Sequence, residues 1–255
     1  IHDDYFAAGA EIATTNTYNA HRDRLRNNGV EDKFEELHVL ACRLAAEARD
    51  AAGRGRVAGS LGPLGASYRT DIVPTADIAA GYYEEIAKIQ APYVDLFICE
   101  TMSSVDQARG ALLGAKVVGK PVWLAISVSD DDGGLLRSGE PVEAILPVIS
   151  ELAPDAVLVN CSLPECIDAA LPKLAGAGVP IGAYANGFTS IDAAFLADNP
   201  TVDALTTRTD LGPDEYTAFA KGWVDQGASI IGGCCEVGPA HIAALAAQFR
   251  LKGAA

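Results

Sequence analysis

Three cysteines in this chain stand where apolar runs give out. The segment Ile230-Ile231-Gly232-Gly233-Cys234-Cys235 carries a β-branched run into two glycines and then into two adjacent thiols. Glycine accepts backbone conformations that turn a chain sharply, so the pair is delivered just past the end of a strand. Two neighbouring cysteines alone are weak evidence of a site, because buried cysteine commonly serves as a small apolar residue. A third thiol strengthens the reading: Cys161 ends a second apolar run in Val157-Leu158-Val159-Asn160-Cys161-Ser162. In a barrel of parallel strands the C-terminal strand ends share one mouth, and there the three sulfurs would meet. Three thiolates suit zinc, and a fourth position left for substrate makes such a site catalytic instead of structural. A substrate thiol taken up there is held as a nucleophilic thiolate at neutral pH, which points to alkyl transfer onto sulfur.

The remaining thiols and the imidazoles fit this chemistry poorly. Cys42 falls on the apolar pattern of a helix and Cys99 lies inside a strand, so both read as core, while Cys166 at a helix start has no assigned role. His2, His21, His38 and His241 form no ligand motif and read as packing or surface residues. Gly59-Ser60-Leu61-Gly62 lacks the lysine and hydroxyl ending of a phosphate loop, and a tight turn is the better reading.

The elements that must position these groups follow from alternation. Strands are expected at Glu11 to Thr15, Arg56 to Ser60, Asp95 to Glu100, Pro121 to Val128, Asp155 to Cys161, Pro180 to Ala185 and Ser229 to Gly232. Helical patterns lie between them, at Glu31 to Ala52, Ala76 to Ile89, Val105 to Val118, Pro141 to Leu152, Pro164 to Ala175, Pro213 to Gln226 and Pro239 to Arg250. Asp3 to Gly9 reads as the end of a helix leading into the first visible strand. Repeated strand and helix units point to a parallel α/β sheet. One further strand ahead of the first would make the eight of a (β/α)8 barrel, with an open doubly wound sheet as the alternative. The acidic loop Ser129 to Gly139 lacks the ligand spacing of a calcium loop and reads as a solvated connection.

Composition narrows the partners. At 255 residues and 49% hydrophobic content the chain can bury one large core, and a single domain over 1–255 is the expectation. A formal charge of −15 opposes binding to nucleic acid or an anionic membrane. No apolar run reaches the roughly 18 to 20 residues that cross a bilayer, and Ile1 to Tyr5 do not begin a signal peptide. A cytoplasmic protein with reduced thiols and small-molecule partners is expected, its oligomeric state open.

Taken in order, Ala8-Gly9-Ala10-Glu11-Ile12-Ala13-Thr14-Thr15-Asn16-Thr17-Tyr18, Gly59-Ser60-Leu61-Gly62-Pro63, Glu100-Thr101, Asn160-Cys161-Ser162 and Gly232-Gly233-Cys234-Cys235 resemble the homocysteine S-methyltransferase family over essentially the whole chain. The resemblance implies a (β/α)8 TIM barrel with zinc on Cys161, Cys234 and Cys235. It implies methyl transfer from an onium donor to homocysteine, giving methionine, with S-methylmethionine favoured over betaine because no long C-terminal extension is evident. Glu100 then looks like the carboxylate that receives the substrate amino group. Asn160, beside the first cysteine, looks like an orienting group. Thr15, Asn16, Tyr18 and Asn186 look like pocket residues, although Thr15, Asn16 and Tyr18 equally suit local backbone bonding and Asn186 a turn. In the family pattern an opening strand and its Asp-Gly-Gly loop come ahead of the position that Ile1 matches, about forty residues by one strand and helix unit. A zinc-thiolate enzyme for another thiol or selenol, or a non-catalytic zinc-binding barrel, are the alternatives.

Overall fold

Period-two alternation inside each short apolar run is what sorts this chain into two layers. In the computed structural model, which describes residues 1–191, 195–196 and 205–249, the strands are β1 (Ile12–Thr14), β2 (Arg56–Leu61), β3 (Leu96–Met102), β4 (Val122–Ile126), β5 (Ala156–Asn160), β6 (Ile181–Tyr184) and β7 (Ala228–Ile231). All neighbouring pairs are parallel and the order in the sheet is the order in the chain. Sequential parallel order is what helical crossovers between adjacent strands produce, and it curls the sheet toward a barrel.

The alternation divides the strand residues. Val57, Phe97, Cys99, Leu124, Ile126, Val157 and Val159 pack outward into the main core against the helices. Ala58, Leu96, Ile98, Ala125, Ala156, Leu158 and Tyr184 form a separate cluster on the inner face. Ser60, Glu100 and Asn160 keep the parity of Ala58, Ile98 and Leu158, so they continue the inner rows toward the C-terminal mouth.

The outer layer comprises α1 (His2–Ala8), α2 (Arg22–Asn27), α3 (Phe34–Ala52), α4 (Ala76–Gln90), α5 (Val105–Ala115), α6 (Leu146–Leu152), α7 (Pro164–Ala170), α8 (Pro213–Asp225) and α9 (Pro239–Phe249). The longest, α3, is rich in Ala, Leu, Glu and Arg and buries the stripe Phe34, His38, Cys42, Ala45 and Ala48, spaced three and four apart. An eighth strand would close the barrel between β7 and β1, and α1 spans that side by packing on both α3 and α9. The Tyr5 hydroxyl there donates to the Val237 carbonyl at 3.0 Å.

The expected elements recur with their ends moved by a few residues, β2 and β3 running on to Leu61 and Met102 and others shortened, and several expected helices finish or begin in a 3-10 turn, as at Lys116–Val118 and Leu171–Leu174. Arg250, expected to close the last helix, lies outside the described residues. One helix, α2, is not among those expected, and one expectation needs correction. The short α2 carries no buried residue, so no apolar period marks it. The loop at 129–139 is only partly solvated: Asp131 and Asp132 are exposed, but Leu136 is fully buried and Val128 bridges back to it. Asp130 pairs with Arg137 at 2.9 Å. A buried guanidinium requires a partner, and composition could not say which aspartate supplies it. Among the described residues no helix is long and apolar enough to cross a membrane.

Candidate functional site

The exit of β6 is the strip to which both cysteine segments are pinned. The Cys161 N–H donates to the Tyr184 carbonyl at 3.1 Å, the Cys234 N–H to the Ala185 carbonyl at 2.9 Å, and the Gly187 N–H to the Cys235 carbonyl at 2.8 Å. Gly233 lets the second segment fold back on itself: a Cβ there would lie 2.1 Å from Val237 Cγ1. Cys161 has the outward parity of Val157 and Val159, yet its backbone takes the left-handed conformation, φ 47°. That break in alternation redirects its sulfur into the mouth.

The three sulfurs of Cys161, Cys234 and Cys235 all lie within 4.8 Å of one another. Cys235 is 3.9 Å from each of the other two. Sulfurs bound tetrahedrally to one zinc at about 2.3 Å stand about 3.8 Å apart, so the donor set and its spacing both fit that ion. Together the thiols share protons. The first thiolate forms readily at Cys161, held well below the usual thiol range by S–H donation from Cys234 and Cys235, with help from Tyr68 and Arg137. That charge pushes Cys234 and Cys235 up. A cation would supply the compensation that the remaining protons otherwise give.

Glu100 stands at the inner end of β3, 7% exposed. The Ser60 hydroxyl donates to its Oε1 and the Tyr184 hydroxyl to its Oε2 at 3.1 Å. Burial raises its carboxyl to about 7, the two hydroxyls oppose the rise, and the thiolate at Cys161 adds to it. Burial, Glu100 and the thiolates together hold the Tyr184 phenol well above its ordinary range, so it stays a donor. Glu100 and the sulfurs are therefore close enough to feel one another's charge on the same mouth.

Asn160 is fully buried and bonds Thr101 through both ends of its amide. Thr15 serves the framework: its hydroxyl pairs with that of Thr17 at 2.7 Å and accepts from the Ser60 N–H at 3.0 Å. Asn16 is exposed in the following turn. The Tyr18 hydroxyl pairs with Ser67 Oγ at 2.9 Å, and its phenol is raised by burial and by the charge at Cys161. Asn186 behaves as a turn residue in that its Oδ1 accepts from the Phe188 N–H at 3.2 Å, yet its Nδ2 is buried without a partner among the described residues. Cys42 and Cys99 are core as expected, and the Cys166 thiol donates to the Asp130 carbonyl at 3.4 Å. His38 packs in α3 with Nε2 2.8 Å from the Ala20 carbonyl.

Sequence reasoning missed Ser60 and Tyr184 as partners of Glu100, and Tyr68 and Arg137 beside Cys161. The first two were within reach, because each ends or nearly ends a strand with inner parity. Tyr68 and Arg137 lie in loops, where no period exists to read.

Comparison with known proteins agrees with this geometry. The profile described as homocysteine S-methyltransferase matches residues 1–249. The homocysteine S-methyltransferase YbgG of Bacillus subtilis is 28% identical over 98% of this chain and 82% of its own length. A methionine synthase of Mycobacterium leprae is 27% identical over 97% of this chain, which spans about a fifth (21%) of that longer relative. The crystal structure of the homocysteine methyltransferase MmuM from Escherichia coli in its metallated form superposes with a TM-score of 0.76 at 27% identity, covering 97% of this chain and 83% of that one.

Proposed function

The chain belongs to the homocysteine S-methyltransferase family, and on that premise we propose that it transfers a methyl group from an onium donor to homocysteine, with zinc held by Cys161, Cys234 and Cys235. S-methylmethionine is the favoured donor and betaine the other. The observation that carries the reading is the meeting of three sulfurs, all within 4.8 Å of one another, on the same mouth as the buried carboxylate of Glu100. Zinc held by these three sulfurs would supply one thing, the charge that keeps a substrate thiol ionised at neutral pH.

The chain's own residues do the rest. Glu100 receives the amino group of homocysteine; an arriving ammonium favours the ionised carboxylate over the proton that burial otherwise retains. Ser60 and Tyr184 hold one carboxylate oxygen each and fix its plane. Asn160 fixes Thr101 and with it the end of β3. Tyr68, Phe188, Phe195 and Leu205 pack together around the cysteines as an apolar wall, which keeps water away and strengthens each charge interaction. Tyr18, Asn16 and Asn186 border the substrate on the β1 and β6 sides, while Thr15, expected beside them, serves the framework through Thr17 and Ser60. The reaction joins two reactants, so aligning sulfur, methyl carbon and leaving group contributes much of the acceleration. In this reading the protein works in a reducing, cytoplasmic setting, which keeps the thiols available, and residues 1–255 act as one unit.

The test is zinc content together with methionine formation by the full-length protein, with S-methylmethionine and betaine as separate donors. About one zinc per chain and turnover with one donor support the reading and select the subclass. Zinc without turnover moves the reading to another thiol or selenol, or to a binding role, and a reduced, folded protein without zinc overturns the proposal.

A further inference from the structure

Tyr68 reaches the sulfur cluster from a loop between β2 and α4. Its ring is buried and its hydroxyl lies 3.0 Å from Cys161 Sγ. Both partners take the left-handed backbone, φ 64° at Tyr68 and 47° at Cys161. Side chains with a Cβ adopt that conformation rarely, and here two such residues are aimed at each other. On the ring face stands Arg137, its guanidinium carbon 4.3 Å from the ring centroid. Arg137 is itself fixed, with Nε donating to Ser127 Oγ at 2.8 Å and Nη2 to Asp130 Oδ1 at 2.9 Å and to the Cys161 carbonyl at 3.4 Å. One guanidinium thus holds the phenol ring and the backbone of the residue that the phenol touches.

A metal-bound thiolate has no proton, so in a bond between Tyr68 and Cys161 the phenol must be the donor. Hydrogen bonding to an anionic sulfur is strong in a site of low polarity, and a cation over the ring makes the phenol a better donor. We propose that Tyr68, buttressed by Arg137, is a positioning residue that donates a hydrogen bond to the Cys161 thiolate and so makes it the weakest electron donor of the three ligands. The metal is left more electron-poor, and a substrate thiol that reaches it ionises at lower pH. Partners around a ligand tune a metal as much as the ligands themselves do. This inference rests on the assignment of Cys161, Cys234 and Cys235 as metal ligands.

The experiment uses the full-length protein loaded with cobalt(II), whose thiolate-to-metal absorption reports electron density on sulfur. Tyr68→Phe removes the donor and keeps the ring. The expected results are a shift of the charge-transfer band to longer wavelength and a rise of about half a pH unit to one unit in the midpoint for homocysteine binding, followed in the cobalt spectrum. Arg137→Met, which leaves the hydroxyl in place, is expected to move both in the same direction by less. A band and a midpoint at wild-type values in Tyr68→Phe overturn the inference. Should that variant fail to fold, an unchanged band in Arg137→Met overturns it in the same way. Wild-type protein that takes up neither cobalt nor zinc fails at the earlier step and refutes the ligand assignment itself.

Discussion

Asn160 and Thr101 are joined by two hydrogen bonds of 2.9 Å, the Thr101 N–H donating to Oδ1 and the Asn160 Nδ2 donating to the Thr101 hydroxyl. Each is the neighbour of a site residue, Cys161 on one side and Glu100 on the other. The pair therefore sets the spacing between the Cys161 thiol just past β5 and the Glu100 carboxylate near the end of β3, and it holds Thr101 at φ 63°. Asn160→Ala leaves the buried Thr101 N–H without its acceptor and is expected to cost about 1 to 3 kcal/mol. Chemical denaturation reads the loss, and a rise in KM for homocysteine reads the displacement of Glu100. Wild-type values of both would refute the linkage.

Glu100 gives the site a pH dependence with a definite sign. Its carboxyl titrates near 7 in the fold against a usual 4.5. Between those values the unfolded chain has lost a proton that the folded chain keeps, so stability falls as pH rises from about 4.5 to about 7, by about 3 kcal/mol in all. Glu100→Gln should abolish that fall and be more stable than wild type at pH 8 but not at pH 4. Homocysteine binding should run the other way in wild type, with KM dropping as pH rises through about 7. In Glu100→Gln, KM is expected to be flat with pH and about 10- to 100-fold higher at pH 8.

His21 acts at the acid end. It is buried, and desolvation first, then Arg24, lower its imidazole to about 3 from 6.5. The unfolded chain binds a proton below about 6.5 that the folded chain refuses, so stability is lost as pH falls from there toward 3, by up to about 5 kcal/mol. Acid unfolding followed by circular dichroism should move to lower pH in His21→Gln; an unmoved midpoint contradicts the assignment.

Metal content should divide the cysteines into two classes. Removing Cys161, Cys234 or Cys235 one at a time to alanine should weaken zinc binding by more than about 100-fold, beyond what losing an outer partner costs. Cys42→Ala and Cys99→Ala should keep the metal and lose only stability, because both thiols lie in the core. Full zinc and activity in Cys234→Ala would show the metal site to be misassigned.

Gly182 is where β6 and β7 meet inside the sheet. A Cβ there would stand 2.5 Å from the Ile230 carbonyl oxygen and 2.7 Å from Ile230 Cβ. Gly182→Ala should destabilise by about 1 to 3 kcal/mol as the strands move apart. Because the cysteines of the last turn are pinned to the exit of β6, zinc retention after mild heating should fall as well. A variant with wild-type stability would mean that the strands yield without cost.

Much of this protein is legible in its sequence because the signal is local. Apolar runs of four to seven residues separated by amphipathic stretches fix the strands, and alternation groups Glu100 with Ile98 and Asn160 with Leu158, a row that the structure shows to be the inner one. Cysteines after two such runs announce a meeting of three sulfurs, since the strand ends of a parallel barrel converge. The orientation of Cys161 was not legible, for parity sends it outward and only its left-handed backbone brings it in. Nor were the partners: Ser60 and Tyr184 are distant from Glu100 in the chain, and the fold brings Ser60 to it from the neighbouring strand β2 and Tyr184 from β6. Tyr68 and Arg137 arrive from loops whose paths are set by what they pack on. Asp130 looked like its exposed neighbours Asp131 and Asp132 until the fold placed a guanidinium next to it. Local pattern determined which elements form and which side chains of a strand share a face, because that depends on spacing along one chain segment. Which donor meets which acceptor at the mouth was decided by tertiary structure alone, because those contacts join segments whose separation carries no period.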